Sequence, residues 1–157
     1  MQSSRRIIRI KVLQVLYAYE IAKDHIDKVK KDLLTELQEA DKYNFASVLI
    51  DTVLKNVKLL DEMIQGKIEN WEFERIALID KLVLRIGLCE ILYFPEIPPK
   101  VSINEAIEIS KEYCTSQSGK FVNGILDAIL IDLKHDNRLN KQGRGLLDIK
   151  KKSKDEK

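Results

Sequence analysis

Apolar residues recur every three to four positions along most of this chain, and that spacing predicts one helix after another. Ile8, Val12, Val15, Leu16 and Tyr19 form a first stripe, which loosens at Lys23-Asp24-His25. A second helix is predicted from about Ile26 to Leu37. A third runs from about Asn44 to Gln65, with Val48, Leu49, Val53, Val57, Leu60 and Ile64 on its inner face and Gly66 placed to end it. The next stretch, KIENWEFERI, is less regular and predicts only a short helical turn or two. Between Ala77 and Phe94 the run ALIDKLVLRIGLCEILYF is apolar nearly all round, which places this helix at the centre of the domain. Pro95, Pro98 and Pro99 then end it and predict an extended link.

Ser102 and Glu105 have the spacing of a capping box, in which hydroxyl and carboxylate satisfy backbone N–H groups at a helix start. A last long helix is predicted from about Lys120 to Lys134, with Val122, Leu126, Ile129 and Leu133 facing inward. Phe121 sits to one side of that stripe with Ile125 and Ala128, and spacing alone reads it as a core residue. Gly124 reads as a close-packing glycine and Asn123 as a structural hydrogen-bonding residue beside it. Arg85, inside the apolar central helix, calls for a paired charge, because an unpaired buried cation is costly. No strand-period segment and no repeat competes with these helices, so the fold class is all-α, with about six to seven helices.

Composition narrows the picture further. The 157 residues include six Gly and three Pro, are 33% charged and 6% aromatic, and can bury a core without a metal or disulfide. Cys89 and Cys114 lie far apart in apolar helical patterns, as reduced thiols of a cytoplasmic protein do. No run is apolar enough for a membrane span, and Lys11 interrupts the one early apolar stretch, leaving no signal-peptide pattern. The net charge of +2 hides an asymmetry: residues 1–11 carry +4 and residues 134–157 carry +5, leaving −7 between them. Basic ends suit a polyanion, and the acidic body suits a basic protein. The end of the chain, NKQGRGLLDIKKKSKDEK, reads as a solvated flexible tail, so residues 1–134 are assigned to one helical domain and 135–157 to that tail.

Catalysis finds no support in this layout. His25 and His135 sit in polar segments with no partner spacing for a triad or metal, and GKFVNG lacks the order of a phosphate-binding loop. Acidic pairs such as Asp61-Glu62 belong to charged helix surfaces. No cofactor is expected. The basic amino end is more telling. Arg5, Arg6 and Arg9 stand at the positive end of a helix dipole, where they cost stability, so stability alone does not ask for them. Arg5 and Arg9, four apart, share a face and are placed to straddle successive phosphates. Single-stranded RNA is commonly bound by such a basic track together with a stacking aromatic, and Lys120-Phe121 is the second candidate component.

Three stretches, RRIIRIKVLQVLYAYE, DKLVLRIGLCEIL and PPKVSINEAIEISKEYCTSQSGKFVNGILD, closely resemble the NusB family of bacterial transcription antitermination factors. The resemblance covers residues 5 to 133 and implies two small helical bundles packed together, with no catalytic activity. It also implies binding to single-stranded boxA RNA of ribosomal RNA leader transcripts. The implied protein partner is NusE, a ribosomal protein of the small subunit, and the pair would help RNA polymerase resist termination. Carried over by residue, the RNA-binding set is Arg5, Arg6 and Arg9, then Gln117, Ser118, Lys120 and Phe121 at the start of the last helix. The partner-facing set is Tyr17, Ile21 and Asp80, the last read as semi-exposed at a helix start. Two positions depart from the family pattern: Gln117 replaces an acidic residue, and Ile7 replaces one of several consecutive arginines. Two rival readings remain at this stage. One is the RNA-binding domain of a ribosomal RNA methyltransferase, which would require a downstream catalytic domain where this chain runs into a lysine-rich tail. The other is a helical protein-interaction module with no RNA role.

Overall fold

The computed structural model describes residues 4–37, 41, 44–68 and 73–147. Among them every regular element is helical: α1 (Ser4–Ala22), α2 (Ile26–Leu34), α3 (Phe45–Lys55), α4 (Val57–Gln65), α5 (Leu78–Tyr93), α6 (Pro99–Tyr113) and α7 (Ser116–His135). Short 3-10 turns at Thr35–Leu37, Phe73–Arg75 and Gly143–Leu146 complete the set. The chain divides into two units, residues 1–57 and 58–157.

In the first unit α1 packs on α2 and α3. Val12, Val15 and Leu16 are buried as their spacing predicts. Asp41 starts α3: its two carboxylate oxygens accept from Phe45 N and Ala46 N, both at 2.8 Å, which sets an anion against the positive end of the helix. The predicted single helix from 44 to 65 breaks at Asn56. There the side-chain amide donates to Thr52 O at 2.8 Å and competes with the backbone ladder. The apolar phase survives the break, with Leu49, Val53, Leu60 and Ile64 all buried, although Val48 is exposed instead of inward-facing.

In the second unit α5 packs on α6 and α7, which also pack on each other. Leu82, Leu84, Leu88, Cys89 and Ile91 are almost wholly buried, as expected of a helix apolar on all sides. Gly87 permits the approach of α7, since a Cβ there would lie 2.9 Å from Leu126 Cδ1. Arg85 has the partner it requires: Nε and Nη2 donate to the two carboxylate oxygens of Asp61 at 2.7 and 2.9 Å.

The capping-box reading of Ser102 and Glu105 is corrected. α6 starts at Pro99, whose fixed φ suits the first helical position, so Ser102 already lies inside the helix. Its hydroxyl instead donates to the buried Glu90 Oε1 at 3.0 Å. Pro99 accordingly belongs to α6 and not to the link.

The segment read as a flexible tail from residue 135 is folded as far as Leu147. Residues 138–146 lie along the carboxyl end of α5: Gln142 N donates to Pro95 O at 3.0 Å, and Lys141 Nζ donates to Glu90 O at 3.2 Å and Phe94 O at 2.9 Å. The lysine thus supplies donors to carbonyls at a helix end, where the dipole favours a cation. Gly145 passes so close to Pro95 that a Cβ there would fall 2.0 Å from its carbonyl oxygen. The lysine-rich stretch beyond, and residues 69–72 of KIENWEFERI, lie outside the described residues.

Candidate nucleic-acid interface

The amino-terminal candidates occupy the first turns of α1. Arg5 is exposed, Arg6 is half-buried and Arg9 is only 3% exposed. The shared face of Arg5 and Arg9 is turned toward Phe45, the first residue of α3. The Arg5 guanidinium carbon lies 3.8 Å from the ring centroid and that of Arg9 5.6 Å. Cation–π attraction of this kind offsets the unfavourable placement of cations at a helix amino end. The expectation that Arg5 and Arg9 straddle successive phosphates is therefore corrected. The shared face meets an aromatic of the chain itself, and Arg5 is the one of the pair that presents charge at the surface. Ile7, standing where the family pattern has arginine, is also exposed.

The second set belongs to α7, which begins at Ser116, four residues before the predicted start at Lys120. Thr115 is its cap, accepting from Ser118 N at 3.1 Å. Gln117 and Lys120 are exposed, and Phe121 is half-buried, so its ring is neither in the core nor fully free. Ser118, by contrast, is 7% exposed and donates from Oγ to Asp80 Oδ2 at 3.0 Å, which removes it from the accessible contacts. Gly119 packs against the Lys111 side chain, where a Cβ would lie 3.0 Å from Cγ. Gly124 and Asn123 are exposed, and a Cβ at 124 would meet nothing within 4 Å, so the close-packing role expected of Gly124 falls to Gly87 and Gly119.

Among the partner-facing candidates, Tyr17 and Ile21 are 42% and 62% exposed, one turn apart on α1. Asp80 is not semi-exposed: it is 7% exposed, closed in at the start of α5. Burial raises its carboxyl pKa above the ordinary 3.8, opposed by hydrogen bonds from Ser118 and Cys114. A residue so enclosed offers a partner little surface. Sequence reasoning missed Phe45, whose partners are some forty positions away, and Thr115, whose cap signal was available in the spacing of Thr115 and Ser118.

Among the described residues no group of three or more His, Cys, Asp or Glu is placed to hold a metal ion, and no helix is long and apolar enough to cross a membrane. What the fold presents is a helical protein with a ring-backed arginine on one unit and a capped helix start bearing Gln117, Lys120 and Phe121 on the other. The NusB family profile matches residues 6–130. The transcription antitermination protein NusB of Chloroherpeton thalassium is 49% identical over 148 residues, covering 93% of this chain and 70% of that protein. The crystal structure of T. maritima NusB is 35% identical, with a TM-score of 0.75 over 84% of this chain and 94% of that one. A second solved structure, of the antitermination factors NusB and NusE in complex with dsRNA, shares the fold at 24% identity and a TM-score of 0.72, covering 84% of this chain and 99% of that one. The chain belongs to the NusB family.

Proposed function

We propose that this chain acts as a transcription antitermination factor: in the cytoplasm it binds boxA RNA of ribosomal RNA leader transcripts, together with NusE, and helps RNA polymerase resist termination. As a member of the NusB family it is not an enzyme. The observation that carries the reading is the family match over residues 6–130, with close identity to a protein named for antitermination. The local geometry supports it. Arg5 is an exposed cation held against a ring, Lys120 and Gln117 are exposed near the half-buried Phe121, and Tyr17 with Ile21 offers an apolar ridge for a protein partner. Of the residues carried over from the family, Arg5, Gln117, Lys120 and Phe121 are assigned direct RNA contact, and Arg6 contributes part of its surface.

The test is a titration of boxA RNA and a scrambled control with the protein alone and with NusE, at two salt concentrations. Preference for boxA that strengthens with NusE is the expected result. Arg5→Gln should then flatten the log–log salt dependence by about 0.7 if one single-strand phosphate contact is lost. Equal, salt-sensitive binding of both RNAs would overturn the reading, because it would leave only nonspecific attraction by basic segments.

A further inference from the structure

A buried carboxylate meets the cap of α7. Thr115 Oγ1 accepts from Ser118 N at 3.1 Å and lies 3.2 Å from Ser118 Oγ, while that hydroxyl reaches Asp80 Oδ2 on α5 at 3.0 Å. The Cys114 thiol, just past the end of α6, acts with Ser118 to hold the Asp80 pKa down against the larger effect of burial. The first turn of α7 is thus held from two directions, by its own cap and by the neighbouring helix. Asp80 Oδ1, however, is buried with no hydrogen-bond partner among the described residues. A carboxylate oxygen enclosed without a donor is destabilising, and an apolar residue of similar size is commonly tolerated better in such a place. The α5 dipole favours an acid in this first turn, but the unpartnered oxygen sets a cost against it, so helix stability is only part of the reason for an acid at position 80.

Its geometry supplies another reason. Ser118 lies between Gln117 and Lys120, both exposed, and Phe121 follows within the same turn and a half of helix. Because α7 is stiff and successive residues are separated by a fixed rotation, fixing Ser118 fixes the directions of Lys120 and Phe121. A charged acceptor holds a hydroxyl more firmly than a neutral one. Gly119, packed on Lys111, removes the one side chain that would push this turn away from α6.

We infer that Asp80 is a positioning residue for RNA binding: through Ser118 it orients the first turn of α7, and with it Lys120 and Phe121, without touching RNA itself. This rests on the RNA-binding reading of α7 given above.

The experiment uses the full chain and three variants, Asp80→Leu, Asp80→Asn and Ser118→Ala, with boxA RNA as the probe. Three quantities are read: Tm, RNA affinity, and amide hydrogen exchange across residues 116–121. Asp80→Leu should match or exceed the wild-type Tm, yet lose RNA affinity about tenfold, the equivalent of one hydrogen bond, and exchange faster in that turn. Asp80→Asn keeps an acceptor for Ser118 and should restore most of the affinity. Ser118→Ala should weaken binding to the same degree as Asp80→Leu, and combining the two should add little, as for residues acting through one contact. Equal affinity of Asp80→Leu and wild type, or a loss that Asp80→Asn does not recover, overturns the inference. If the wild type itself shows no preference for boxA, the functional reading falls and this role with it. That outcome is distinguishable, because in a failure of the positioning role alone the wild type still binds.

Discussion

Replacing Lys141 by methionine tests how the carboxyl end of α5 is closed. The ammonium is buried against Glu90 O and Phe94 O. Desolvation lowers its pKa from 10.5 to about 8, with the charge of Glu90 pulling more weakly in the opposite direction. The folded chain therefore holds this proton about 3 kcal/mol less tightly than the unfolded chain, at about 1.4 kcal/mol per tenfold. The sign follows from proton binding: between pH 8 and 10.5 the unfolded state carries more protons, so stability rises with pH across that window. From about pH 7 to about pH 9.5 the contribution of this one group is about 2 kcal/mol. A neutral amine still has two N–H donors for the two carbonyls, so the capping contacts survive deprotonation. Both carbonyls also keep a backbone partner when the lysine is removed, Glu90 O from Phe94 N and Phe94 O from Ile97 N, each at 3.1 Å. Lys141→Met loses the ammonium contacts but also the burial penalty, so at about pH 7 it should lie within about 1 kcal/mol of wild type. At about pH 9.5 it should be the less stable protein by about 2 kcal/mol more than at neutral pH. Urea denaturation followed by far-UV circular dichroism at both pH values gives the comparison, and other titrating groups cancel in the difference. Parallel pH profiles for the two proteins would refute the reasoning and place the Lys141 amine in contact with water.

Arg85→Met should destabilise the second unit by about 2–3 kcal/mol, because it strands the half-enclosed Asp61 carboxylate, and Asp61→Asn in the same chain should recover part of the loss in thermal denaturation. Gly145→Ala forces a Cβ to within 2.0 Å of a backbone oxygen that cannot step aside, so the 138–146 segment should leave α5 at a cost of about 1–3 kcal/mol. Faster amide exchange at Gln142, whose N–H otherwise bonds Pro95 O, would register that departure; unchanged protection there would contradict it.

The sequence told most where one pattern acted alone. α5 was legible because eighteen residues with few polar interruptions have one place to go, and Arg85 within it announced a partner by the cost of lacking one. Boundaries were lost where two local signals competed. Ser102-x-x-Glu105 has the capping spacing, but Pro99 three residues earlier fixes the helix start, and the hydroxyl turns inward to Glu90. Asn56 carries no apolar signal, so a helix break that preserves the phase of Val53 and Leu60 leaves no trace in periodicity. The candidate binding residues came from residue type and from the family resemblance, and neither gave their exposure: Arg9, Asp80 and Ser118 are enclosed by residues distant in sequence, and no local pattern records that. Lys141 is the extreme case, a lysine in a glycine-bearing polar stretch whose partners lie some fifty positions earlier.

That long reach has a consequence for the order in which a nascent chain can mature. Within the first unit α1 packs on α2 and α3, so these helices can associate as soon as residues 1–57 have left the ribosome. The second unit cannot finish so early. The end of α5 waits for Lys141 and for the passage of Gly145 beneath Pro95, both made only after α6 and α7 have been synthesised. Until then the carbonyls at 90 and 94 lack their lysine cap, and the helix that forms the centre of the unit is the one completed last.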